Sequence, residues 1–96
     1  MSEFIESMVT AINKKLDGDG FDGNVKLSVK DEGSVMIDDD GARAADEQAD
    51  CTLVADRDTF NGLFDGSVNA MQAVMAGDLA IEGDMSIAMK LGQILG

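Results

Sequence analysis

The chain has 96 residues, of which 19 are Asp or Glu and 7 are Lys or Arg, so its formal net charge is −12. A chain of this length folds around one modest core, and we expect a single domain over residues 1–96. The charge excludes a nucleic-acid binder, because phosphate contacts need clustered Lys and Arg. The absence of His excludes imidazole catalysis and histidine metal sites.

The sequence shows no targeting or membrane-spanning pattern. It begins Met1-Ser2-Glu3-Phe4, without the basic start and apolar stretch of a secretory signal. No window approaches the roughly 18 apolar residues of a membrane span. Cys51 is the single cysteine and cannot form an internal disulfide. We therefore expect a cytoplasmic protein in which Cys51 is a buried structural thiol.

The first predicted element is an amphipathic helix. Apolar residues recur at three- and four-residue spacing from Phe4 to Leu16, which is typical of a helix with one buried face. Ser2 suits its N-cap, and Gly18 and Gly20 are expected to end it.

The middle of the chain has the period of a sheet. Apolar and polar residues alternate over residues 24–38 around a turn at Asp31–Gly33, which predicts a β-hairpin. A short third strand is expected over 41–45. Cys51–Ala55 predicts a further strand, after which Asp56 is a good N-cap for a helix.

Two helices, a brief strand and a closing helix are predicted after Asp56. The first helix runs from about Arg57 to Phe64, and the second is expected to be capped by Ser67 and to stop at Gly77. The strand covers Leu79–Glu82. The closing helix starts after Asp84.

The closing helix has more apolar surface than one core contact requires. Its clearly polar members, Ser86, Lys90 and Gln93, span an arc of roughly 60°, while apolar residues cover roughly 220°. The excess must be covered by the rest of the core, by a partner chain or by a bound apolar ligand. Two methionine pairs at four-residue spacing form a soft, adaptable surface: Met71 with Met75, and Met85 with Met89.

The Asp-rich turns are interpreted as solvated turns. An EF-hand loop with Gly41 at its sixth position would place Met36 at the first ligand position, where a side-chain oxygen is needed. The flanking segments also have strand patterns rather than helical ones. Because most Asp residues stand in turns beside Gly, paired catalytic carboxylates are not expected. The sequence predicts no metal site, no cofactor and no catalytic residue.

The second half of the chain resembles the sterol carrier protein (non-specific lipid-transfer) family. The resemblance rests on four segments whose order and spacing match: Ala49–Leu53, Phe60–Gly66, Ala76–Met85 and Ala88–Leu91. It implies a single α+β domain with a mostly antiparallel sheet of about five strands and helices packed on one face. The implied order is helix, three strands, crossover, strand, helices, strand, helix.

The resemblance also implies a non-enzymatic protein that binds, and transfers, a fatty acid, acyl-CoA, sterol or other polycyclic lipid in an apolar tunnel between sheet and helices. Carried over, the tunnel lining is Phe60, Leu63, Phe64, Met71, Val74, Met75, Ile81, Met85, Ile87 and Met89. The lysines of the family's last strand are replaced by Asp78, Ala80 and Glu82. This replacement weakens any site for an acyl-CoA phosphate.

Two other hypotheses remain open at this point. The apolar surface of the closing helix would also suit a protein–protein interaction or dimerisation module, and the domain would also suit a lipid-presenting accessory role beside an enzyme. The expected partners are an apolar lipid and, briefly, a membrane, with no nucleic acid. The expected oligomeric state is a monomer or a weak homodimer.

Overall fold

The computed structural model describes residues 2–95, and these contain four helices and five strands in the predicted order. The elements are α1 (Glu3–Leu16), β1 (Val25–Val29), β2 (Gly33–Asp38), β3 (Gly41–Ala44), β4 (Cys51–Ala55), α2 (Arg57–Asp65), α3 (Ala70–Ala76), β5 (Leu79–Gly83) and α4 (Met85–Leu95). None of the helices in residues 2–95 is both long and apolar enough to cross a bilayer.

The five strands form one mixed sheet in the order β3-β2-β1-β4-β5. The central pair β1–β4 is parallel, and the other three pairs are antiparallel. Leu27 of β1 pairs with Val35 on one side and with Leu53 on the other. All three side chains are buried on the same face of the sheet.

The core lies between this face and the helices. One cluster of buried residues joins Ile5 of α1, Phe60 of α2, Ala73 of α3 and Leu91 of α4 to the inward side chains of the strands. All four helices therefore pack on one face of the sheet. The predicted α+β architecture, mostly antiparallel with helices on one side, is confirmed.

Helix α1 follows the predicted pattern. The Ser2 hydroxyl accepts a hydrogen bond from the backbone N–H of Ile5 at 3.1 Å, as an N-cap should. The helix ends at Leu16, and its C-cap Asp17, directly before Gly18, takes the left-handed conformation with φ 53°. Asn13 ties α1 to β3, because its side chain donates to the Ala42 carbonyl at 3.0 Å and accepts from the Ala42 N–H at 2.9 Å.

The crossover from β3 to β4 runs across the other face of the sheet. Lys26 contacts Asp46 of the crossover at 3.0 Å. Arg43 binds both Asp38 and Glu47 at 2.8 Å, the residues that would stand at positions 3 and 12 of an EF-hand loop with Gly41 at position 6. The guanidinium, through its hydrogen bond, lowers the pKa of Asp38.

The predicted start of α3 at Ser67 is wrong. The helix begins at Ala70, and its N-cap is Asn69, whose side chain accepts from the N–H of Met71 at 2.9 Å. The N–H of Ser67 instead donates to the Asp65 carboxylate at 2.8 Å. Ser67 therefore belongs to the turn that closes α2.

The cap of α2 has a testable pH dependence. Asp56 accepts from the Thr59 N–H at 2.8 Å, and this bond lowers the pKa of Asp56 below its usual value of 3.8. A depressed folded-state pKa stabilises the fold above the unfolded value, and the contribution is lost as pH falls through the folded value. Asp56→Asn keeps a capping oxygen but not the charge. It should be less stable than the native chain near neutral pH, and the difference should shrink in acid.

Urea unfolding of both chains over a series of pH values measures this difference. Asp40→Asn removes the same charge from the β2–β3 turn, away from any helix, and serves as the matched control. If the stability lost in Asp56→Asn stayed constant below pH 3.8, the charged Asp56 carboxylate would not be the group that stabilises the start of α2.

Candidate functional site

The ten residues predicted to line a tunnel lie on α2, α3, β5 and α4, and the structure separates them by burial. Phe60 and Ile87 are core residues, 1% and 9% exposed. Leu63, Phe64 and Ile81 are half-buried and pack against the core. The other five are large exposed apolar side chains, here called the methionine surface: Met71 (70%), Val74 (36%), Met75 (84%), Met85 (52%) and Met89 (66%).

Helix α3 presents its methionines to solvent. Of its seven residues, Ala73 is the buried one. At about 100° per residue, Met71 and Met75 fall on the side opposite Ala73. The helix packs against β5 through this small residue. Its larger apolar side chains therefore lie on the outside of the molecule.

Helix α4 carries two adjacent apolar strips. Ile87, Ala88 and Leu91 face the core. Met85 and Met89, four residues apart, form a second strip that stays exposed. The helix therefore has apolar surface beyond its core contact, as the width of its apolar arc predicts.

The start of α4 is held by Asp84. Its carboxylate accepts from the N–H and the hydroxyl of Ser86 at 2.9 and 2.6 Å, and these bonds lower the pKa of Asp84. The backbone N–H of Asp84 donates to the Asp50 carbonyl at 2.9 Å. Together these bonds place Met85 directly beyond the end of β5, next to the start of β4.

Two open clefts lie elsewhere on the described residues. One of about 590 Å³ lies under the β3–β4 crossover and is lined by polar side chains such as Lys26 and Thr52. The other, of about 560 Å³, follows the exposed side of α1 near Ser7 and Thr10. Neither is lined by any of the ten predicted residues. The apolar tunnel implied by the sequence stays a prediction.

Cys51 is buried at the start of β4. Burial raises the pKa of its thiol, and the nearby charge of Asp84 acts in the same direction. A protonated, enclosed thiol is a poor nucleophile. The structural role expected from the sequence agrees with this environment.

Two anchoring residues of the site carried no clear signal in the sequence. Ala73 is the buried contact of α3, but a small residue contributes little to a hydrophobic pattern. Arg57 lies over the Phe4 ring, with its guanidinium carbon 5.3 Å from the ring centre, and thereby links α2 to α1. This contact joins residues far apart in the chain, so no local sequence pattern predicts it.

The arrangement is a single α+β domain with a five-stranded mixed sheet, helices packed on one face and an apolar closing helix. The model of the SCP-2 sterol transfer family matches residues 5–96, and the chain belongs to this family. By sequence, no curated protein matches the chain.

Solved structures share the fold at low identity. Sterol carrier protein 2 of Aedes aegypti, solved with the C16 fatty acid palmitate, is 17% identical with a TM-score of 0.80, covering 100% of this chain and 97% of that one. Apo sterol carrier protein 2 of Yarrowia lipolytica is 21% identical with a TM-score of 0.70, covering 93% of this chain and 77% of that one. At such identities these likenesses show the fold.

The same fold also occurs inside an enzyme chain. The sec-alkylsulfatase Pisa1 of Pseudomonas sp. is 13% identical with a TM-score of 0.70, and the match covers 96% of this chain but 16% of the sulfatase. The fold alone therefore does not separate a free carrier from a domain that accompanies an enzyme.

Proposed function

We propose that this protein, as one domain over residues 1–96, is a non-enzymatic carrier that binds a lipid at the methionine surface and the half-buried residues beneath it. The observation that carries the proposal is the methionine surface itself. Its five side chains lie on α3 and α4, two helices that both contact β5, and exposed apolar side chains grouped on neighbouring elements are typical of a ligand or partner surface. Family membership and the palmitate-bound relative of the same fold support the same conclusion.

Burial of a hydrocarbon chain would supply the free energy of binding. Each CH₂ removed from water contributes about 0.8 kcal/mol, so about ten buried groups correspond to a micromolar dissociation constant before ordering costs. Methionine suits this task, because its unbranched thioether adapts to ligands of different shape. Such binding needs no specific polar anchor.

Helix α3 is the element that moves in this proposal. Phe60 and Ile87 are packed in the core, so a lipid lying between the helices and the sheet requires a helix to shift. Helix α3 has seven residues and Ala73 as its buried contact, and a helix this short has little stability of its own. A shift of α3 combined with a rotation about its axis would turn Met71 and Met75, which lie opposite Ala73, toward the ligand.

The absence of catalysis is also part of the proposal. The Cys51 thiol is buried, and the Asp38 and Glu47 carboxylates are bound to Arg43. Asp56 and Asp84 accept hydrogen bonds at helix starts. These groups already have structural partners, so they are poor candidates for general acids or bases.

Replacing the two methionines of α4 tests the proposal. Met85→Gln/Met89→Gln should weaken binding of a fluorescent fatty-acid ester about tenfold, because polar amides replace apolar contacts that contribute roughly 1–2 kcal/mol. Stability should change little, since both side chains are exposed. Fluorescence titration measures the affinity.

Ser7→Gln/Thr10→Gln, on the exposed side of α1, introduces the same two amides away from the site and should leave the affinity unchanged. Native mass spectrometry of protein purified from cells should reveal co-purified lipid. The proposal fails if no lipid co-purifies and the probe shows no saturable uptake.

A second candidate uses the same surface. The exposed Met85 and Met89 of α4 would also suit a dimer in which two closing helices pack together. Sedimentation at several concentrations distinguishes the two, because a dimer dissociates on dilution whereas a carrier stays monomeric. Lipid that converts a dimer to a monomer would show that both uses compete for one surface.

A further inference from the structure

The segment 65–78, which contains α3, is held to the rest of the fold at two points. Val68 is half-buried and Ala73 is buried, whereas the other residues of the segment are exposed. Ala73 belongs to the core cluster, and Val68 packs against it. Because the remaining side chains face solvent, the position of α3 depends on these two residues.

Val68 lies in a notch on α2 that Gly62 creates. Gly62 is buried in the middle of α2, and a Cβ placed on it would lie 2.8 Å from the Cβ of Val68 and closer still to its Cγ2. The backbone N–H of Val68 also donates to the Gly62 carbonyl at 3.0 Å. Glycine lowers the stability of a helix interior, so the space it leaves for Val68 gives this glycine a structural role.

A glycine in the left-handed conformation lies at each end of this segment. Gly66 and Gly77 both have φ 84°, and an added Cβ would meet nothing within 4 Å at either position. Gly66 precedes Val68, and Gly77 lies between α3 and β5. Glycine has the widest range of backbone conformations, and hinges are a few residues that absorb large dihedral changes. The two glycines therefore allow α3 to turn once Val68 leaves the notch.

We infer that Val68 in the Gly62 notch is a latch that sets how fast a lipid enters beneath α3. The inference rests on the proposed function, since it concerns the rate at which that site is loaded. With the latch closed, Ala73 stays in the core cluster. With the latch open, α3 turns about Gly66 and Gly77, and Ala73 withdraws. A lipid that enters only the open form loads at a rate proportional to the open population.

Gly62→Ala tests the latch without weakening α2. Alanine is the better helix former, but its Cβ takes the space of the Val68 side chain. Uptake of a pyrene-decanoyl methyl ester, followed by stopped-flow fluorescence, should therefore become about tenfold faster. Gly92→Ala makes the same substitution in α4, where the added Cβ meets nothing within 4 Å, and should leave the uptake rate unchanged.

Val68→Ala weakens the latch from the other side. It removes both methyl groups of a half-buried side chain, and uptake should become about fivefold faster. Val9→Ala removes the same groups from a half-buried valine of α1 that also packs against the core, and should change the rate by less than about twofold. Gly62→Ala/Val68→Ala should be no faster than the faster single variant, because both substitutions release one contact.

Amide hydrogen exchange measures the latch without any lipid. The Val68 N–H should exchange about tenfold faster in Gly62→Ala than in the native chain, because its bond to the Gly62 carbonyl breaks when the latch opens. The Lys30 N–H, which donates to the Ala55 carbonyl at 3.0 Å, should exchange at the native rate. This local change distinguishes opening of the latch from a general loss of stability.

The outcomes separate the latch from the proposed function. Unchanged Val68 exchange in Gly62→Ala, or uptake no faster than in the native chain, overturns the latch while lipid binding stands. Equal acceleration in Gly92→Ala or Val9→Ala overturns it too, because the cause would then be a general loosening of the fold. Absence of uptake by every chain overturns the proposed function and the gating role together. Faster Val68 exchange accompanied by faster uptake supports both.

Discussion

Gly83→Ala should lower the free energy of unfolding by roughly 3–5 kcal/mol, a large share of the stability of a small domain. Gly83 ends β5 with φ 94°, a conformation that residues with a Cβ rarely adopt. An added Cβ would press on the carbonyl oxygen of Asp50. That carbonyl accepts the N–H of Asp84, so the clash falls on the junction that positions α4.

A second glycine separates the clash from the backbone strain. Gly66 has φ 84°, and a Cβ there meets nothing within 4 Å. Gly66→Ala should therefore cost only about 1 kcal/mol, the cost of the left-handed conformation. Urea unfolding followed by far-ultraviolet circular dichroism measures both variants, since the chain has no Trp or Tyr. Equal losses of stability in the two variants would show that the contact with the Asp50 carbonyl adds nothing to the cost of Gly83→Ala.

Phe60→Ala should lower the free energy of unfolding by about 3–5 kcal/mol. Phe60 is 1% exposed and lies in the core cluster between α2 and the sheet. Removing its ring forfeits both the transfer free energy of the aromatic group and the packing around it. The same urea titration measures the loss.

Met75→Ala is the matched comparison, because both positions were predicted from the sequence to line the lipid site. Met75 is 84% exposed, so its truncation should change stability by less than about 0.5 kcal/mol. It should instead weaken binding of the fluorescent fatty-acid ester severalfold, because one apolar contact with the ligand is lost. If Met75→Ala destabilised the fold as much as Phe60→Ala, the burial assignments would be wrong.

The elements themselves were predictable because they depend on neighbours in the sequence. The three- and four-residue spacing of Ile5, Met8 and Ile12 predicts α1, and alternation predicts β1 and β2. The caps at Ser2 and Asp56 follow from residues within one turn. Ser67 failed as a cap because the Asp65 carboxylate binds its N–H, and residue type alone does not distinguish these two uses of a serine.

The candidate site was only partly predictable. The width of the apolar arc on the closing helix indicates surplus apolar surface, and Met85 and Met89 are exposed as that surplus requires. Phe60 and Met75 both count as apolar residues in such a pattern, yet Phe60 is buried and Met75 is exposed. The pattern measures how much apolar surface a helix has and not which part of it meets the sheet.

Composition determined the acidic character of this protein, and local periodicity determined its order of helices and strands. The ordered motifs of its second half carried the resemblance to the sterol carrier protein family. The tertiary structure decided the parallel pairing of β1 with β4, the Asn13 and Arg43 contacts across the sheet, and the exposure of the methionine surface. These features depend on residues distant in the chain. Their interactions form only once the helices have packed on one face of the sheet.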